Sequence, residues 1–114
     1  MDKFSVKIES KLYERLNQKQ ANYIILLDNA KNHNLKNGNI LTISDSVTGD
    51  NFDAKIDAML YFESVKDIFS MVSKERFGYS ASANVDYIED YYVKLFKDEK
   101  ITKYGVIAVK VEKL

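Results

Sequence analysis

The sequence contains no cysteine, no proline and no tryptophan. Without cysteine, the chain cannot form disulfides, use a thiolate nucleophile or build the usual kinds of zinc site. A reducing compartment is the simplest setting for such a chain, so we expect it to be cytoplasmic. No linker, low-complexity tract or internal repeat divides the sequence, which predicts a single domain over residues 1–114.

Net charge is also lacking, because 17 Lys and Arg residues are balanced by 17 Asp and Glu residues. Domains that bind nucleic acid mainly through phosphate contacts usually show a basic excess. Neutrality therefore argues against strong, sequence-independent binding of DNA or RNA, although it allows a local basic patch.

Long apolar runs are absent as well. No segment approaches the roughly 18–20 apolar residues that cross a bilayer, so we expect no transmembrane helix and no membrane partner. The N-terminal segment Met1–Val6 has no long apolar stretch, so we expect no signal peptide.

The residues that are present predict five strands. Apolar side chains alternate with polar ones in Phe4–Ile8, the pattern of a half-buried strand. The five apolar residues Tyr23–Leu27 predict a strand buried on both faces. Residues 40–43 and 52–62 predict a hairpin, with the even-numbered residues of the second strand on one face. Residues 104–111 are mostly apolar, which predicts a central strand.

Helical spacing appears in three places. Ser10 is a suitable N-cap for a short helix that buries Leu12 and Leu16. A capping box at residues 64–67 predicts a helix to about residue 72, with Gly78 as the stop signal. A further helix is predicted from about Asn84 to Lys97. Because these helices do not alternate regularly with the strands, the predicted class is α+β.

Several short sequence blocks follow one another along the chain: Leu35–Asn39, Val65–Phe69, Phe77–Ser80, Ile88–Tyr92 and Lys103–Val109. In this order they resemble the activating-signal-cointegrator homology (ASCH) family of the PUA-like superfamily, over nearly the whole chain. The resemblance implies a small, partly open mixed β-barrel with helices packed against it. It also implies binding of RNA or nucleotides in a cleft beside the second strand.

Some bacterial proteins of this family resemble amidohydrolases that remove an acyl group from N4-acetylcytidine. Their pattern uses Lys and Thr on the second strand and Glu before the last helix. Aligned back from Gly38, the family positions for Lys, for Thr or Glu, and for Arg fall on Ala21, Ile24 and Leu26. These side chains cannot act as a base or a nucleophile, and residues 80–84 contain no Glu. We therefore expect the chain to be non-catalytic.

The leading prediction is a domain that binds RNA or a nucleotide-like ligand without a cofactor. In this interpretation Asn22 hydrogen-bonds a base edge, whereas Lys11 and Lys19 contact phosphates. Ile24 and Leu26 belong to the predicted ligand-binding set, because they alternate to the face where relatives present charge to a ligand. Either their side chains fill this cleft, or they give it an apolar surface for a base, a small molecule or a protein. Tyr79, which lies in one of the family blocks, completes the predicted ligand-binding set.

Two other functions remain open at this stage. The apolar side chains of Ile24 and Leu26 favour a protein-interaction module or inhibitor, if they form an exposed surface. A shift of register by two residues would place Lys19 at the Lys position of the family, which keeps open an amidohydrolase with relocated residues. His33 lies in a polar loop and is expected to be solvated. Asp45 is expected to cap a turn rather than bind a metal ion.

Overall fold

The computed structural model describes residues 3–114, so Met1 and Asp2, which the domain prediction includes, lie outside the described residues. In chain order the elements are β1 Lys3–Ile8, α1 Ser10–Asn17, β2 Tyr23–Leu27, α2 Ala30–His33, β3 Ile40–Asp45, β4 Asn51–Phe62, α3 Val65–Ile68, a 3-10 helix Lys74–Phe77, α4 Val85–Phe96, α5 Asp98–Tyr104 and β5 Val106–Lys113. The α+β class is confirmed.

The five strands form one curled, half-barrel sheet in the order β1-β3-β4-β5-β2. β1 and β3 are parallel, whereas the other neighbouring pairs are antiparallel. The predicted hairpin of β3 and β4 is confirmed. β5 lies between β4 and β2, so its predicted central position is confirmed too.

Two hydrophobic cores form on opposite faces of this sheet. The first core contains Leu12, Tyr13 and Leu16 of α1, whereas the second is covered by α3, the 3-10 helix, α4 and α5. Every residue of β2 is buried, as predicted. Because side chains alternate along a strand, Ile24 and Leu26 enter the first core while Tyr23, Ile25 and Leu27 enter the second.

The even-numbered side chains of β4 share one face of the sheet, as predicted, only in the first half of the strand. Ala54 and Ile56 belong to the first core, and Phe52 packs against it. The pairing of β4 with β5 then shifts between Ile56 and Ala58. This bulge inserts one extra residue, so the side chains that follow it point to the opposite face of the sheet from the one predicted. Leu60 therefore packs against the second core. Period-two spacing alone cannot reveal such an insertion.

The ends of two predicted helices differ from expectation. α1 is capped by Glu9 without a side-chain hydrogen bond. The predicted cap, Ser10, instead donates its hydroxyl to Asp45 Oδ1 at 2.5 Å. Ser64 caps α3 as predicted, since its Oγ accepts from Asp67 N at 3.2 Å, which is one half of the predicted capping box. α3 nevertheless ends at Ile68, and the chain continues through turns into the 3-10 helix.

The last helical region contains one more helix than the sequence predicts. Asn84 caps α4, whose bounds agree with the prediction within one residue. Lys97 then takes a φ of 77°, which ends the helix, and α5 begins at the next residue. The final strand therefore starts at Val106, and Tyr104 belongs to α5 rather than to the strand. No helix in residues 3–114 has the length and apolar character needed to span a bilayer.

Asp45 stabilises the β3–β4 turn, in line with its predicted capping role. The carboxylate is buried and accepts hydrogen bonds from the Ser10 hydroxyl at 2.5 Å and from Val47 N at 2.8 Å. These bonds, that of Ser10 first, hold the pKa of Asp45 below its ordinary value of 3.8. No group of three or more potential metal ligands occurs in the part of the chain that the structure describes.

A measurable pH dependence follows from the lowered pKa of Asp45. Its ionised form stabilises the fold above pH 3.8, and this contribution disappears as the pH falls through the lower folded-state pKa. We expect Asp45→Asn to be less stable than the wild type at pH 6 in urea unfolding, with the difference shrinking below about pH 4. The exposed Glu63→Gln serves as control and should show no such loss. A constant difference from pH 6 to pH 2.5 would contradict this role.

Candidate functional site

Two adjoining depressions lie at the start of β2 and share Lys19, Ala21 and Asn22. The more enclosed of the two, called the main cleft, has a volume of about 260 Å³. It is lined by Leu16, Lys19, Ala21, Asn22, Phe52, Asp57, Lys110, Val111, Glu112 and Lys113. The side groove, of about 400 Å³, is lined by Lys19, Gln20, Ala21, Asn22, Ser73, Glu75 and Arg76.

The turn from α1 into β2 places Lys19 and Asn22 at this site. Lys19 N donates to Leu16 O at 3.1 Å, and Lys19 takes a φ of 61° that is uncommon for a residue other than glycine. Asn22 N donates to Arg76 O at 2.9 Å, and Asn22 O accepts from Val111 N at 2.9 Å. The backbone of Asn22 is therefore fixed between the 3-10 helix and β5, while its half-buried side chain lines both depressions.

The bulge in β4 supplies the far wall of the main cleft. The register shift leaves Asp57 between two paired residues, Ile56 opposite Val111 and Ala58 opposite Lys110. Bulges commonly redirect a side chain beside a binding site. Here Asp57 and Lys110 line the same cleft.

Some charged side chains of the main cleft have a hydrogen-bond or ion-pair partner, and others do not. Lys55 Nζ lies 3.9 Å from Asp57 Oδ1 and 4.0 Å from Glu112 Oε2, so both carboxylates are partly neutralised. Lys113 Nζ donates to Asn17 Oδ1 at 2.6 Å and lies 5.4 Å from the centroid of the Phe52 ring. The side chains of Lys19 and Lys110, by contrast, have no hydrogen bond or ion pair within residues 3–114. They are the cations most available to a ligand.

The predicted binding residues do not all meet at this cleft. Lys19 and Asn22 line both depressions, whereas Lys11 is exposed on α1 and lines neither. Ile24 and Leu26 are 0% and 7% exposed inside the first core, so the face that the resemblance to the ASCH family predicts as the ligand face is filled with side chains. Neither residue reaches a surface that a ligand or a partner protein can contact.

Tyr79 belongs to a separate tyrosine cluster between α1 and α4. Its phenol lies near those of Tyr91 and Tyr92 and near the Glu9 carboxylate, and the rings of Tyr91 and Tyr92 pack edge to face with centroids 5.0 Å apart. Burial, followed by the nearby Glu9 carboxylate, raises the pKa of Tyr91 to about 12. Burial also raises the pKa of Tyr79 and of Tyr92, so all three phenols stay neutral at physiological pH. The cluster lines neither depression.

Sequence reasoning missed the part of the cleft that comes from β4 and β5: Phe52, Asp57, Lys110, Val111, Glu112 and Lys113. These residues reach Lys19 only because β5 pairs with β2 in the folded sheet. One sequence signal was available, since Lys110 interrupts the apolar run from Val106 to Val111. A charged residue within a central strand indicates that its side chain reaches solvent or a cleft.

No protein-family model matches the chain, and a comparison with curated proteins finds no significant match. Solved structures do share its fold. The crystal structure of the hypothetical protein PH0355 has a TM-score of 0.84 at 18% identity, over 99% of this chain and 100% of that one. The solution structure of the protein PF0455 from Pyrococcus furiosus has a TM-score of 0.74 at 17% identity, over 99% and 98%.

A third similar structure is that of the protein EF3133 from Enterococcus faecalis V583, described with the family DUF984. Its TM-score is 0.64 at 15% identity, and the match covers all of this chain and 76% of that one. At these identities the similarity shows a common fold and carries no function across.

Proposed function

We propose that the chain is a non-catalytic ASCH-type domain of PUA-like fold that binds RNA or a nucleotide in the main cleft. The observation that supports this best is the position of Lys19, Asn22 and Lys110 around one cleft at the start of β2. The resemblance to the ASCH family, which implies a ligand beside the same strand, also supports it. The curled half-barrel with helices on both faces is consistent with such a fold.

The lining groups of the cleft suit the parts of a nucleotide. Leu16, Phe52 and Val111 offer apolar surface for the faces of a base. The side-chain amide of Asn22 can donate to and accept from a base edge, and the free ammonium groups of Lys19 and Lys110 can contact phosphate.

The size of the cleft favours a small ligand. Its volume of about 260 Å³ lies just below the range of about 300–1,000 Å³ that is typical of drug-sized ligand pockets. A single nucleotide is a better match than a bulky cofactor. The adjoining side groove, with Arg76 on its wall, offers a path for the sugar-phosphate backbone of an RNA chain.

The non-catalytic part of the proposal is supported by the residues at the family's catalytic-type positions. Ala21 and Ile24 carry no ionisable group, and both are buried. Catalysis of acyl transfer needs a base or an activated nucleophile within reach of the ligand. Release of acetate from N4-acetylcytidine by this protein, abolished in Lys19→Ala, would overturn the non-catalytic part.

Binding of a labelled single-stranded RNA of about eight nucleotides tests the proposal by fluorescence anisotropy. With about three phosphate contacts from Lys19, Lys110 and Arg76, affinity should fall roughly 10- to 20-fold between about 50 and about 200 mM salt. Lys19→Ala and Lys110→Ala should each weaken binding and reduce the salt slope by about 0.7.

Lys11→Ala is the matched control, because Lys11, like Lys19, is exposed, but it lines neither depression. Its affinity and salt slope should equal those of the wild type. No binding at about 50 mM salt, or equal losses in all three lysine variants, would contradict the proposed site.

A further inference from the structure

The Asp57 carboxylate in the main cleft has little structural role. It lies at the bulge of β4, and its side chain is 29% exposed. Its oxygens accept no hydrogen bond within the described residues 3–114, since Lys55 Nζ, at 3.9 Å, is too distant to donate one. An ion pair with a half-exposed lysine contributes little to stability, and aspartate is disfavoured in strands. Both carboxylate oxygens are therefore available to a ligand in the cleft.

Asp57 and Asn22 lie on opposite sides of β5. Asn22 O accepts from Val111 N on one side of this strand. On the other side, Val111 lies opposite Ile56, the residue before Asp57. Neighbouring strands are about 5 Å apart, so the backbones of Asn22 and Asp57 are separated by about 10 Å. Both side chains and Val111 line the same cleft of about 260 Å³. A base held over Val111 therefore has an amide on one side and a carboxylate on the other.

We propose that Asp57 makes the main cleft selective for guanine. This inference rests on the proposed function, which puts a nucleotide in the cleft. In this arrangement the Asp57 carboxylate accepts two hydrogen bonds from guanine, one from N1–H and one from the N2 amino group. The side-chain amide of Asn22 donates to O6 on the same edge of the base. Lys19 and Lys110, which line the same cleft, contact the phosphate as before.

The donor pattern of the bases explains the choice of guanine. A carboxylate can only accept hydrogen bonds, and guanine is the one common base whose Watson–Crick edge presents two adjacent donors. Cytosine and adenine each present one amino group beside a ring nitrogen that is itself an acceptor. Uracil presents one donor between two carbonyl oxygens, which a carboxylate repels. A bidentate contact to the right base typically discriminates about 10- to 100-fold against the wrong ones.

The first test is isothermal titration calorimetry of the full chain with the four nucleoside 5′-monophosphates. GMP should bind at least about 10-fold more tightly than UMP. CMP and AMP should fall in between, because the amino group of each base gives Asp57 one hydrogen bond. Inosine 5′-monophosphate keeps O6 and N1–H but lacks the N2 amino group, so it should bind roughly 3- to 10-fold more weakly than GMP.

The second test is Asp57→Asn. An amide oxygen can accept from only one of the two guanine donors, so the affinity for GMP should fall about 10-fold. The affinity for UMP should stay the same or rise, because the change removes a negative charge near the phosphate. Retained UMP binding also shows that the variant is folded. Glu112→Gln is the matched control: it removes the other carboxylate of the cleft, whose side chain is 63% exposed, and should keep the ratio of GMP to UMP affinity.

The possible outcomes separate this inference from the proposed function. Equal affinity of the wild type for all four nucleotides would overturn guanine selection and leave nucleotide binding in place. A guanine preference that survives Asp57→Asn, or that Glu112→Gln abolishes, would do the same. No binding of any nucleotide at about 10 mM would overturn both.

Discussion

Replacement of Ile24 by glutamate is expected to leave the chain unfolded at neutral pH. Ile24 is 0% exposed and lies in the first core with Leu12 and Leu16. Removal of a buried Ile side chain costs about 2–5 kcal/mol. The buried carboxylate adds several more, because Asp45, an acid, is the only buried charged residue in the part of the chain that the structure describes. Such a loss is comparable to the whole stability of about 5–15 kcal/mol typical of a domain.

Ile24→Val is the matched control, since it removes one methylene and adds no charge. It should fold normally and lose about 0.5–1.5 kcal/mol in urea unfolding. Many proteins of the resembled family carry Glu at the aligned position, so the experiment also asks whether this position faces a cleft. A folded Ile24→Glu protein with wild-type stability would show that it does, and would contradict the filled core described above.

Replacement of Gly105 by alanine is expected to cost about 2–4 kcal/mol. Gly105 joins α5 to β5 with φ 81° and ψ −175°, a conformation that is almost confined to glycine. A Cβ atom there would lie 2.8 Å from the backbone oxygen of Phe62, which cannot move without disturbing β4. The backbone strain and the steric overlap with Phe62 O therefore both lower the stability of the variant.

Gly49→Ala is the reference variant without the close contact. Gly49 has the same φ of 81°, but nothing lies within 4 Å of the position of its Cβ atom. Its loss of stability should be about 1–2 kcal/mol, from the positive φ. Equal losses in the two variants, compared by urea unfolding, would show that neither the extended ψ of Gly105 nor the contact with Phe62 adds to the cost.

The strands could be predicted from the sequence because their side-chain periodicity survives in the fold. β2 is buried on both faces, and its five consecutive apolar residues show this directly. The mostly apolar residues of β5 likewise indicate its position inside the sheet, between β4 and β2. The bulge near Asp57 could not be predicted, because an inserted residue changes pairing without a distinctive residue type. α5 was missed because Ile101 is its only buried side chain, which is too few for a helical pattern.

The sequence predicts only some of the residues that line the site. Lys19 and Asn22 were expected to bind ligand, and both line the cleft. Alignment with the ASCH family puts Ile24 and Leu26 on the ligand face. A run of apolar residues equally well indicates a filled core, which is where both side chains lie. Lys110 and Asp57 lie far from Lys19 in sequence and meet it only through the pairing of three strands. Contacts between distant segments are not encoded in local spacing.

Backbone amide NMR of the protein titrated with cytidine 5′-monophosphate tests the central claim most directly. We predict saturable shift changes centred on Lys19, Asn22, Asp57 and Lys110, which line the main cleft. The amides of Lys31 and Lys36, which line other grooves, should not move. Shift changes centred on those two lysines, or no change at millimolar nucleotide, would contradict nucleotide binding at the start of β2.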